Sequence, residues 1–121
     1  MPPERALPYF GSYDKKNNVL NILEYSLPQN AFEYVNSVLE IQENPFSGDV
    51  INSYNDGPDK NGDQMGQYYE LENSSPAAFL LPGQEMKHLQ RIYHFEGSEN
   101  DLDILTRKFL NVSIEEIKNS L

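Results

Sequence analysis

Tyr9-Phe10-Gly11-Ser12-Tyr13-Asp14, then Lys15-Lys16-Asn17-Asn18, then Val19-Leu20-Asn21-Ile22-Leu23-Glu24-Tyr25-Ser26-Leu27 is the stretch that decides the fold class. Two strand-forming runs flank a polar tetrapeptide, and the second run stops at Pro28. That pattern predicts a β-hairpin. Upstream, Met1 to Pro8 carries three prolines and no periodicity, which predicts an extended arm.

Downstream, residues 34–42 fit either a helical face (Val35, Val38, Leu39) or a strand face (Val35, Leu39, Ile41). Their β-branched and aromatic content favours a strand. Residues 43–67 hold Asn-Pro, Ser-Gly, Asp-Gly-Pro and Asn-Gly signals and predict a long loop, with a strand only at Asp49–Tyr54. A loop of that size in a compact domain usually binds something or is disordered. Further strands are expected at 68–73, 77–81 and, after the Pro82-Gly83 turn, 85–95.

From Ser98 the period changes. Leu102, Leu105 and Phe109 recur at helical spacing behind a capping box Ser98–Asp101, and Ile114, Ile117 and Leu121 do so behind Ser113–Glu116. The expectation is therefore a mainly β chain of 121 residues forming a single domain: an arm at 1–8, antiparallel strands over 9–97, and two short helices over 98–121 that pack on the sheet or on a partner.

Lys and Arg number 9 against 19 Asp and Glu, a formal net charge of -10. Neutralising phosphates requires clustered Lys and Arg, so no nucleic-acid partner is expected, nor an anionic membrane surface. No apolar run reaches the roughly 18 residues of a spanning helix, and residues 1–30 lack a signal-peptide pattern. The chain has no Cys, which removes disulfides and thiolate chemistry. Its 13 Asn, 8 Tyr and 6 Phe, with no Trp, suit long loops and polar, aromatic surfaces.

Four groups of residues could carry chemistry. Side chains two apart share a strand face, so Glu70 and Glu72 lie with Tyr68 on one side of the 68–73 strand. Two desolvated carboxylates that close raise each other's pKa, as a general acid or base requires, although a solvated face of an acidic protein has the same pattern. Asn52, Tyr54, Asn55 and Asp56 gather amide, phenol and carboxylate groups that suit sugar hydroxyls, and they are equally ordinary turn formers. His88 and His94, six apart in one expected strand, are too far apart to serve one site. Asp59, Asn61, Asp63 and Glu70 match positions 1, 3, 5 and 12 of a calcium loop, but Gln64 replaces the required Gly. No metal or cofactor is expected.

The ordered features Asn44-Pro45-Phe46-Ser47-Gly48-Asp49, Asn52-Ser53-Tyr54-Asn55-Asp56-Gly57-Pro58, Tyr69-Glu70-Leu71-Glu72 and Leu81-Pro82-Gly83-Gln84 resemble the C-terminal part of galactose-mutarotase-like proteins, in an uncharacterised bacterial branch of the aldose 1-epimerase superfamily. The resemblance covers most of the chain. It implies an antiparallel β-sandwich, part of a larger supersandwich, with a sugar-binding cleft on one concave sheet. It also implies a Glu after Leu on a late strand, here Glu72 with Glu70 as neighbour, serving as base on the anomeric hydroxyl. The His pair that such enzymes use has no counterpart in residues 1–67, which contain no His. The expectation is then a carbohydrate-binding module that is not catalytic alone, partnered by a missing N-terminal half or a second copy. The alternatives are the C-terminal half of an epimerase-like enzyme, or an assembly domain acting through its helical tail.

Overall fold

A computed structural model describes every residue of the chain except Asp56, Met65, Gln67 and Leu121. Among the described residues the protein is mainly β, with five strands in two antiparallel sheets and two short helices. No helix among them is long and apolar enough to cross a membrane. The chain divides into two compact units, one of residues 7–27 and 88–121, the other of residues 1–6 and 28–87.

The first unit is built on the expected hairpin. Strands β1 (Tyr9–Asp14) and β2 (Val19–Tyr25) pair antiparallel, Tyr9 opposite Glu24 and Asp14 opposite Val19. The turn closes because Asp14 Oδ1 accepts the amides of Lys16 (2.9 Å) and Asn17 (3.1 Å). Asn18 completes it at a left-handed φ of 52°, which Asn tolerates. Strand β5 (Gln90–Glu96) pairs with the other edge of β2, giving the order β1-β2-β5 with Ile22 opposite Tyr93.

Cross-strand neighbours share a face. One face therefore carries Tyr13, Leu20, Ile22, Tyr93 and Phe95, and the helices cover it. Leu20, Ile22, Leu102 and Ile114 form the buried centre, with Tyr13, Tyr93, Phe95, Leu105 and Phe109 packed around them. The Phe109 ring lies 5.9 Å from Tyr93 and 6.4 Å from Phe95. The stripe on helix α1 (Glu99–Leu110) is thus occupied within its own unit.

Both helices begin where their caps predict. Ser98 accepts the Asp101 amide at 3.3 Å, although the Asp101 carboxylate turns to the Ser98 hydroxyl and leaves that box half formed. The box opening α2 (Ile114–Asn119) is complete, each of Ser113 and Glu116 accepting the other's amide. α1 ends at Asn111, with a left-handed φ of 56°.

Asp103 ties the two helices together. Its Oδ2 accepts from Arg107 Nε at 2.7 Å and its Oδ1 from the Ile114 amide at 2.8 Å, an otherwise unpaired donor at the start of α2. The Arg107 guanidinium first, then the Ile114 amide, hold the Asp103 carboxyl below its ordinary 3.8. A lowered folded-state pKa contributes stability that is present above the unfolded pKa and is lost as pH falls through the folded value. Asp103→Asn is accordingly expected to lower the thermal midpoint at neutral pH. The gap from wild type should shrink as pH drops below 3.8, as a thermal-melt series across acid pH would read. A gap that stays constant with pH would remove the carboxylate from this role.

The second unit holds β3 (Ile51–Asn55) and β4 (Tyr69–Asn73), paired antiparallel with Ile51 opposite Asn73. The Val50 amide donates to the Met1 carbonyl (2.9 Å), and the Val50 carbonyl accepts from Ser74 (2.8 Å), extending the order past the strand ends. Tyr34, Val50 and Ile51 are its buried apolar side chains. The arm contains one 3₁₀ turn, Pro3–Arg5.

Three expected strand readings are corrected. Residues 34–42 form no strand beyond an isolated bridge between Tyr34 and Ser47. Tyr34 and Asn36 bond the backbone of residues 45–48, but past them side chains take over: Asn36 Oδ1 accepts the Val38 amide and Gln42 Nε2 donates to the Val38 carbonyl. Such local bonds compete with a ladder. Residues 77–81 are irregular, bracketed by Pro76 and Pro82, and the Leu81 amide goes to Gln84 Oε1. The last strand starts at Gln90 rather than 85, because Ser26 Oγ takes the Leu89 amide and ends the ladder. His88 therefore lies outside the strand that carries His94.

Candidate functional site

The β3–β4 register is what brings the expected site residues together. Asn52 stands opposite Glu72 and Tyr54 opposite Glu70. Opposed residues of an antiparallel pair have Cβ atoms about 4.5–5.5 Å apart on the same face. Asn52, Tyr54, Glu70 and Glu72 thus form one surface, and Tyr68, just before β4, adjoins it through its ring. The Tyr54 and Tyr68 rings lie 6.2 Å apart, tilted by 38°. Asn55 falls opposite Tyr69 on the reverse face, apart from this set. Asp56 lies outside the described residues.

Glu70, Glu72, Tyr54 and Tyr68 are exposed and Asn52 is half-buried. Both carboxylates lie open to solvent on this face. The surface offers acceptors, one amide with both donor and acceptor atoms, and two phenol rings.

The calcium-like residues do something else. Asp59 Oδ1 accepts the amides of Asn61 (2.8 Å) and Asp63 (2.9 Å), and Oδ2 accepts from Asn61 Nδ2 (3.3 Å). Those bonds, the Asp63 amide foremost, hold its carboxyl low and close a tight turn. Among the described residues no three His, Asp or Glu side chains converge on a metal-sized space.

A second polar group escaped sequence reasoning. Glu24 Oε2 accepts the Tyr93 hydroxyl (2.8 Å) and Arg91 Nη1 (3.2 Å), which hold its carboxyl below the ordinary value, the Tyr93 bond contributing most. The same bond raises the Tyr93 phenol. Glu24 and Arg91 also line a hollow of about 150 Å³ with Tyr25, Ser26 and Leu89. The residues are 67 and 69 apart in sequence, and only the β2–β5 register reveals them. His94 likewise meets Asn21 across that register, Nδ1 to Oδ1 at 2.5 Å.

Fold and surface together define a mainly β protein with an exposed polar and aromatic sheet face. The chain belongs to DUF6786, a family of unknown function, matched over residues 1–121. No curated protein and no solved structure matches it.

Proposed function

We propose that this protein is a carbohydrate-binding module related to sugar mutarotases, with the Asn52–Tyr54–Glu70–Glu72 face as its sugar-contacting surface. The observation that carries the reading is the β3–β4 register, which gathers amide, phenol and carboxylate groups on one accessible face. Sugar hydroxyls need donors and acceptors together, and aromatic faces cover the C–H side of a pyranose. In this reading the chain belongs to an antiparallel β-sandwich of the mutarotase-like kind, and the chain alone turns nothing over.

Titration with a monosaccharide and oligosaccharide panel at millimolar concentration, followed by amide chemical shifts, is the test. Shifts are expected to cluster at Asn52, Tyr54, Glu70 and Glu72, and to be lost in Tyr54→Ala and Glu72→Gln. A panel that moves none of these amides sinks the proposal.

A further inference from the structure

The second unit exposes large apolar side chains that a water-facing surface ordinarily hides. Phe79 is 93% exposed, Phe32 58% and Phe46 53%. They are not scattered. Phe32 and Pro45 line a hollow of about 480 Å³ with Phe46, and Phe46 lines an adjoining one of about 250 Å³ with Phe79. Glu33 borders both hollows and Glu43 the first. Single exposed apolar residues need no explanation, but a contiguous aromatic patch with a charged rim marks an interaction surface.

The charge around the patch selects its occupant. Over residues 28–87 of this unit there are ten Asp and Glu against two basic residues, Lys60 and Lys87. A second copy of the chain would bring the same acidic rim and a formal -10 against it, so self-association is opposed by charge. We infer that the Phe32–Phe46–Phe79 patch docks a separate polypeptide segment whose apolar side chains are flanked by Lys or Arg. Its apolar anchors fill the two hollows beside Phe46, and its cations meet Glu33 and Glu43. The inference is independent of the sugar reading, which concerns the β3–β4 face.

The probe is a synthetic peptide, Lys-Lys-Phe-Leu-Ala-Phe-Lys-Lys, compared with its counterpart bearing Glu at every Lys position. Calorimetry and amide-shift mapping on the full chain are expected to show binding of the basic peptide, with shifts centred on Phe46 and Phe79. Binding should weaken as salt is raised. Phe79→Ser alters a fully accessible side chain and leaves the fold intact, and Glu33→Gln with Glu43→Gln keeps the apolar patch. Each is expected to weaken binding about tenfold or more, a loss of about 1.4 kcal/mol. Equal binding of the acidic peptide, no binding at millimolar basic peptide, or a sedimentation profile showing a dimer abolished by Phe79→Ser would each overturn the inference.

Discussion

Leu102→Ala is expected to lower the stability of the β1-β2-β5 unit by about 3.5 kcal/mol, the middle of the range for a fully buried leucine. Leu102 is 1% exposed and lies among Leu20, Ile22 and Ile114, and among the described residues these four are the fully buried apolar side chains of this cluster. With so few, the neighbours cannot close over a lost isobutyl group without moving the sheet from the helix. The lost burial and the residual cavity therefore add. Ile104, two residues along the same helix, is 66% exposed, and Ile104→Ala is expected to change stability by less than about 0.5 kcal/mol. Urea unfolding of both variants, followed by far-ultraviolet circular dichroism, makes the comparison. Similar midpoints for the two would mean that the helix does not seal this core.

Gly48→Ala is expected to disrupt the other unit. A Cβ at Gly48 would lie 2.3 Å from the Val35 carbonyl oxygen, 2.5 Å from its carbon and 2.7 Å from the Asn36 nitrogen. These are backbone atoms, so no rotamer change relieves the clash and the two segments must part. Three hydrogen bonds span them: Gly48 amide to Tyr34 carbonyl (2.7 Å), Tyr34 amide to Phe46 carbonyl (3.0 Å) and Asn36 amide to Pro45 carbonyl (2.8 Å). The expected cost is about 3 kcal/mol, the upper end for forced overpacking. Hydrogen exchange should show the Tyr34, Asn36 and Gly48 amides losing protection while those of β2 keep theirs. Gly57→Ala, whose Cβ would meet nothing within 4 Å, is the matched control. Unchanged exchange at Tyr34 and Gly48 would show that the close approach is not maintained in solution.

What was legible in the sequence was whatever local chemistry decides. The hairpin was readable because Asp14 and Asn18 sit beside the groups they serve, and the helix starts because Ser98 and Ser113 bond amides three residues ahead. Glu70 and Glu72 were readable as sharing a face, since alternation is a property of one strand. The misread strands failed for one reason. Val35, Val38, Leu39 and Ile41 have the composition of a strand, but a strand exists only as far as its partner runs, and past Asn36 the Val38 backbone bonds go to the side chains of Asn36 and Gln42. In the same way His88 and His94 read as one strand until Ser26, 62 residues away, ended the ladder between them.

The sequence by itself determined the hairpin, the two capped helices, the strand bearing Glu70 and Glu72, and the acidity, because each depends on residues within a few positions of one another. The tertiary structure alone decided that Asn52 and Tyr54 stand against those carboxylates while Asn55 turns away, that Glu24 finds Arg91 and Tyr93, and that Phe32, Phe46 and Phe79 surround adjoining hollows. Those juxtapositions depend on register between distant segments. A shift of one residue exchanges the faces of a strand, and neither composition nor periodicity records that choice.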